Sequence, residues 1–189
     1  MAGKKIGGVI GAALLLASCG GGTGDATGGN ATATADAPAT GAMPAGWKAT
    51  DACSVIDKAA MSEVLGRPVT ETSLALVHEP TPGGSDAGTS ECTYMLDGGR
   101  ATVMTRWSPI NDNTDGAINT ARSTMKQTLA AFGGGEVEDI AGLGKASIWV
   151  GKVNQLQTFI GEDRMVLITV PTGADAKDKA IALARKAGA

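Results

Sequence analysis

The stretch CTYMLDGGRATVMTRW, residues 92–107, decides the fold because it contains two strands and the turn between them. In its first half, apolar residues alternate with polar ones at Cys92, Tyr94 and Leu96. Asp97-Gly98-Gly99 follows, and an Asp-Gly pair favours the tight turn of an antiparallel hairpin. A second strand is predicted over residues 101–107. The stretch therefore predicts a β-hairpin.

Before this hairpin, the sequence predicts a helix, a strand and a loop. Asp57 is the predicted N-cap of the helix, and Gly66 and Pro68 end it. A strand is predicted over residues 69–77. Residues 78–90 (HEPTPGGSDAGTS) are rich in turn formers and predict a long loop.

After the hairpin, the sequence repeats the order of a helix followed by strands. Apolar residues at spacings of three and four predict a helix between residues 118 and 132, and a last helix begins near Asp175. The predicted strands are residues 146–150, 155–160 and 165–170. The last of these, MVLITV, is nearly all apolar, which predicts a central strand with both faces covered and Leu167 buried. The order α-β-β-β-α-β-β-β-α predicts an α+β fold with an antiparallel sheet of five or six strands and helices packed against it.

The N-terminus predicts a lipoprotein. Lys4 and Lys5 precede an apolar run of about a dozen residues, which suits a signal peptide and is shorter than the roughly 20 residues that span a bilayer. The run ends in Leu16-Ala17-Ser18-Cys19, and a small residue before a Cys with Leu three positions earlier is the bacterial lipobox. We expect cleavage before Cys19 and attachment to the membrane through acyl chains on Cys19. The alternative is an ordinary secretory signal.

These features divide the chain into a signal peptide at residues 1–18, the lipidated Cys and a tether at 19–48, and one α+β domain at 49–189. The tether is mainly Gly, Ala and Thr and predicts disorder, because it cannot bury enough surface to offset its ordering entropy. About 27 such residues reach roughly 30 Å. We expect the protein in the cell envelope, outside the cytoplasm. Since Gly20 rather than Asp follows Cys19, we expect the outer membrane if the cell has two.

Charge and cysteines narrow the class of protein. Lys and Arg total 16 against 19 Asp and Glu, and no basic run is present, which argues against a nucleic-acid partner. Besides Cys19, the chain contains Cys53 and Cys92. In an exported protein this pair predicts a disulfide, with two buried free thiols as the alternative. No Cys-x-x-Cys indicates a redox role.

No motif indicates a reaction. His78, the single histidine, lies in the turn-rich loop, and a triad with Ser85 and Asp86 lacks the nucleophile-elbow pattern. Gly144-Lys145 departs from the phosphate-binding loop because Ala146 stands where Ser or Thr is required.

No motif predicts a metal or a cofactor either. The Asn/Asp-rich residues 111–115 suggest calcium by composition, but Arg122 stands where an EF-hand loop needs Glu, which favours helix capping. Trp107 and Trp149 are the candidate ligand contacts, because they end strands beside flexible connections. Core packing is their alternative, since aromatic residues total only 3% of the chain.

Four short motifs of the domain are similar to those of a known family. They are Cys53-Ser54-Val55-Ile56, Val64-Leu65-Gly66, Cys92-Thr93-Tyr94 and Gly142-Leu143-Gly144-Lys145-Ala146. With them, residues 51–187 resemble a family of exported lipoproteins of unknown function that is abundant in actinobacteria. Tyr94 stands where Trp is more typical of the family, and Ala52 where Pro is common. The family is similar in architecture to the extracytoplasmic sensor domain of a membrane-bound protein kinase, which implies an α+β fold and a binding role.

We therefore expect a non-enzymatic binding or sensor-like module with an unidentified envelope ligand. The alternative is a structural or assembly accessory that docks another envelope protein, and an enzyme is the least favoured class. An apolar pocket with convergent polar groups would favour ligand binding. An exposed apolar patch without a pocket would favour the accessory.

Overall fold

The computed structural model describes residues 41–189. Cys19, the predicted signal peptide and most of the predicted tether lie outside the described residues. The described part contains four α-helices: α1 (Ala52–Val55), α2 (Lys58–Leu65), α3 (Asp115–Ala131) and α4 (Ala176–Lys186). Its strands are β1 (Val69–His78), β2 (Gly88–Leu96), β3 (Gly99–Trp107), β4 (Val137–Asp139), β5 (Ala146–Val150), β6 (Gln155–Ile160) and β7 (Arg164–Thr169).

The strands form one antiparallel sheet in the order β1-β2-β3-β7-β6-β5-β4. The predicted hairpin is present, because β2 pairs with β3 from Gly88↔Trp107 to Leu96↔Gly99. β7 pairs with both β3 and β6 and therefore lies at the centre of the sheet. The predicted α+β class and the central position of the last strand are confirmed.

The strand count and the element order differ from the prediction of five or six strands. The seventh strand is β4, which pairs with β5 from Val137↔Val150 to Asp139↔Ile148. The prediction also lacked α1 and placed residues 88–90 in a loop, whereas β2 begins at Gly88 and Thr89 pairs with His78. Elements of three or four residues contain too little sequence for a periodic pattern, which explains why β4 and α1 were missed.

The two faces of the sheet are covered differently. The main face carries Tyr94, Val103, Leu156 and Ile168, and it packs with buried residues of α1, α2 and α4 in the larger core cluster. The other face, which we call the α3 face, carries a smaller cluster. Its buried members are Ile148, Phe159 and Met165 of the sheet with Ile118 of α3.

The prediction that Leu167 is buried was wrong. Leu167 lies opposite Met104 and Gln157 and is only half-buried. Ile168, its neighbour in the chain, belongs to the main face and is 0% exposed. Leu167 is more exposed than Ile168 because it lies on the α3 face, which α3 covers only in part.

Two attachments hold α1 on β2. The predicted Cys53–Cys92 disulfide is present, with a Cα–Cα distance of 5.0 Å. The hydroxyl of Tyr94 donates to the carbonyl of Ile56 and lies 3.4 Å from that of Ala52. Burial raises the pKa of Tyr94, so the hydroxyl keeps its proton and remains a donor. A covalent bond and a buried hydrogen bond therefore hold α1 against the main face.

Candidate ligand-binding groove

Helix α3 is the element that positions the candidate site. Its N-cap is Thr114, whose Oγ1 accepts a hydrogen bond from the backbone N–H of Ala117 at 3.2 Å. An apolar stripe then runs along the helix through Ile118, Met125, Leu129 and Phe132, as predicted. Of the helix residues, only Ile118 and Leu129 are buried. Because most of the stripe is not fully buried, α3 gains less packing energy than a helix whose whole apolar stripe is covered.

The two halves of α3 meet the sheet differently. The first half packs through Ile118 and the half-buried Ala121 and Met125 onto the α3-face cluster. Phe132, at the end of the stripe, is 75% exposed. The last two turns of the helix therefore leave apolar surface uncovered.

A groove of about 310 Å³ lies between this second half of α3 and the sheet. Its helical wall consists of Thr124, Met125, Thr128, Leu129 and Phe132. Its opposite wall is made by Val150, Lys152, Val153 and Gln155, from the end of β5 to the start of β6. The volume falls at the lower end of the range typical of small-molecule sites, and most of the lining is apolar.

Lys152 links the two walls of the groove. Its Nζ donates to the carbonyl of Phe132 and, at 3.0 Å, to that of Gly134. These carbonyls lie at the C-terminal end of α3, where a cation interacts favourably with the helix dipole. Gly134 in turn donates its backbone N–H to Leu129 at 2.7 Å. The end of the helix is thus held by polar contacts rather than by apolar packing.

Gly135 allows the chain to pass close beneath the helix. It has a φ of +157°, and an added Cβ would lie 3.3 Å from Leu129 Cδ2 and 3.4 Å from Lys152 Cβ. A side chain at this position would push into the groove wall. Gly135 therefore lies directly behind two residues of the groove wall, although in sequence the glycine run indicates only a helix end.

The predicted ligand contacts Trp107 and Trp149 do not line this groove. Each is 7% exposed, and both belong to the main-face core cluster. Trp107 also borders a second cavity of about 200 Å³ beside the Pro80–Gly84 loop and Pro109. Ligand contact by either indole stays a prediction.

The His78 loop is organised by Asp86. His78 Nε2 lies 3.1 Å from the carboxylate of Asp86, and both side chains are exposed. Asp86 also accepts the backbone N–H of Thr81, and this bond lowers the pKa of its carboxyl. Asp86 therefore holds the turn together.

The Asn/Asp-rich stretch uses its polar groups internally. Arg106 makes two hydrogen bonds to Asp112, and Asp115 lies 3.4 Å from Lys145 Nζ. Asn113 is buried and donates to the carbonyls of Gly161 and Arg164. Between residues 41 and 189, no group of three or more His, Cys, Asp or Glu side chains is arranged to hold a metal ion.

Lys145, from the sequence that superficially resembles a phosphate-binding loop, is also paired. Its Nζ donates to the Glu162 carboxylate at 2.8 Å and to the Asn113 carbonyl at 2.7 Å. Glu162 raises the pKa of the Lys145 ammonium. The preceding Gly144 has a φ of +59°, and an added Cβ would lie 2.5 Å from the Phe159 carbonyl oxygen. The Gly144-Lys145 pair therefore closes a tight turn against β6.

Comparisons with known proteins leave the family open. No protein-family model, curated protein or solved structure matches the chain. The resemblance to exported lipoproteins stays a prediction. Within the described part, no helix is long and apolar enough to span a membrane.

Proposed function

We propose that the protein is a lipid-anchored binding module of the cell envelope and that the groove beside α3 is its ligand site. The observation that carries this proposal is the apolar groove between the second half of α3 and the end of β5 and start of β6. Lys152 links the two walls by donating to two backbone carbonyls at the end of α3. A concave, mostly apolar groove with a few polar groups is the usual form of a small-molecule site.

The location of the site also suits a binding role. The groove lies on the α3 face, whereas the disulfide and the Tyr94 bonds close the main face. A ligand can therefore enter without disturbing the larger core. The lipobox at Cys19 supports the anchor, and a tether of the predicted length would let the domain meet ligands outside the membrane.

A neutral apolar fluorophore, N-phenyl-1-naphthylamine, tests the proposal on the chain from residue 20, which retains every described residue. All of these belong to one compact unit. We expect the probe to bind with increased fluorescence, and Thr128→Phe to weaken binding at least tenfold by filling the groove. Thr120→Phe is the matched control, because Thr120 is exposed on the same helix and lies outside the lining. Equal binding by both variants would exclude the groove.

A second candidate function, docking of another envelope protein, is favoured by β1. This strand forms one edge of the sheet, and nine of its ten residues are exposed. Leu74, Leu76 and Val77 are 43%, 71% and 48% exposed. An exposed apolar edge strand can pair with a strand from another protein. If this is the function, Leu76→Lys should abolish a co-purifying envelope partner that Thr128→Phe retains.

A further inference from the structure

We propose that the groove binds a single-chain amphiphile with an anionic head group, specifically a free fatty-acid-type monocarboxylate. This inference rests on the proposed function, since it names the ligand of the same groove. Three features carry it: the length of the apolar wall, the volume of the groove and the position of its one charge.

The apolar wall is long and narrow. Met125, Leu129 and Phe132 follow one another along α3, and the seven-residue rise between the first and the last is roughly 10 Å. Val150 and Val153 face them from the sheet side. A volume of about 310 Å³ along such a trough suits one extended alkyl chain. A lipid with two or three chains needs a larger site.

The charge lies at one end of this trough. Lys152 is the single charged residue among the nine that line the groove, and it is exposed. Its ammonium has three N–H donors, of which Phe132 and Gly134 take two. The third is left for a ligand oxygen. Because no lining residue is acidic, an anionic head group meets attraction without a competing carboxylate.

The C-terminal end of α3 carries partial negative charge and repels an anion, so its charge must be compared with that of Lys152. A helix C-terminus is equivalent to roughly −0.5 elementary charge, whereas Lys152 carries a full positive charge. The sum at the mouth of the groove is therefore positive. Thr128 and Gln155 also line the groove. Gln155 Nε2 donates to Thr169 Oγ1 at 3.3 Å, which leaves its second N–H and the Thr128 hydroxyl as further donors.

Decanoate, decanol and decylammonium test the head group, because they share one alkyl chain. We expect isothermal titration of the chain from residue 20 to show decanoate binding at least tenfold tighter than decylammonium, with decanol between them. The preference for decanoate over decanol should shrink at high salt, since the head-group contact is exposed. Thr128→Phe should weaken all three ligands.

Lys152→Gln should reduce the affinity for decanoate about tenfold more than that for decanol, because decanol responds only to the loss of the contacts that Lys152 makes with the end of α3. Lys126→Gln is the matched control, since Lys126 is exposed on α3 outside the lining. Equal weakening of decanoate and decanol by Lys152→Gln overturns the proposal, whereas Lys152→Arg, which keeps the charge, should retain the preference for decanoate. Equal binding of decanoate and decanol to Lys152→Arg overturns the proposal.

The outcomes separate this inference from the proposed function. If all three head groups bind equally while the neutral fluorophore still binds in the groove, the anionic ligand is wrong and the groove stands. If decanoate binds but Thr128→Phe does not weaken it, the binding lies elsewhere and the inference fails. If neither the alkyl ligands nor the fluorophore bind, both this inference and the proposed function fail.

Discussion

Reduction of the Cys53–Cys92 disulfide tests the architecture most directly. The two cysteines are 39 residues apart in sequence. On the chain-entropy account, a cross-link that closes a loop of this length raises the free energy of unfolding by about 4 kcal/mol at 25 °C. Single domains are stable by roughly 5–15 kcal/mol, so the reduced protein should remain folded but lose a large share of its stability. The hydrogen bond from Tyr94 to Ile56 still holds α1 in that state.

The measurements are urea unfolding and thermal unfolding of the chain from residue 20, each with and without a reductant. We expect a difference of about 4 kcal/mol and a fall in Tm of roughly 8–16 °C. The double variant Cys53→Ala/Cys92→Ala is the control and should not respond to the reductant. A thiol count on the denatured, unreduced chain should find no free thiol. Two free thiols, or a stability change below about 1 kcal/mol on reduction, would refute the reasoning.

Three further predictions concern the core, the pH dependence and the anchor. Ile168→Ala should lower the free energy of unfolding by about 3–5 kcal/mol because Ile168 is fully buried. Leu167→Ala should lower it clearly less, and equal losses in urea melts would show that the α3 face is filled. Asp112→Asn should cost up to about 1 kcal/mol at pH 7, measured by thermal melts. The Arg106 guanidinium holds the pKa of Asp112 below its ordinary value of 3.8, so the ionised carboxylate stabilises the fold above that pH. This stabilisation is lost as the pH falls below 3.8 and through the lower pKa of the folded state. If the stability lost in Asp112→Asn stayed the same over that pH range, this account would be wrong. Cys19→Ser should abolish incorporation of a labelled fatty acid in cells, and undiminished label would exclude the lipobox.

The sequence predicted the elements that carry a long periodic pattern. The 92–107 hairpin has alternating apolar residues and a turn signal, and α3 has a stripe over four turns, so both are present where predicted. β4 and α1 contain three and four residues, and no period can be recognised over such a length. The exposure of Leu167 depends on where α3 lies across the sheet, which is a long-range property that the MVLITV pattern does not contain.

The groove was not predictable from the sequence for a related reason. An apolar stripe looks the same whether its last turn is covered or open, so Phe132 indicated packing rather than a binding site. Lys152 lies 20 residues after Phe132 and in sequence is an ordinary lysine in a turn between strands. Trp107 and Trp149 were the predicted ligand contacts because they are large aromatic residues at strand ends, but both are almost fully buried. Only the structure shows that the stripe continues beyond the three residues that reach the α3-face cluster.

The two faces of the sheet are packed differently. On the main face, the disulfide, the Tyr94 hydroxyl and the larger core cluster hold the helices in place. On the α3 face, a small cluster holds the first half of the helix and Lys152 holds its end, with the groove between them. Regions with few buried apolar contacts open at lower free energy than the rest of a fold. A ligand that fills the groove would supply the apolar contacts that α3 lacks, so binding would stabilise the one helix that packing leaves incomplete. This difference in packing favours ligand binding on the α3 face.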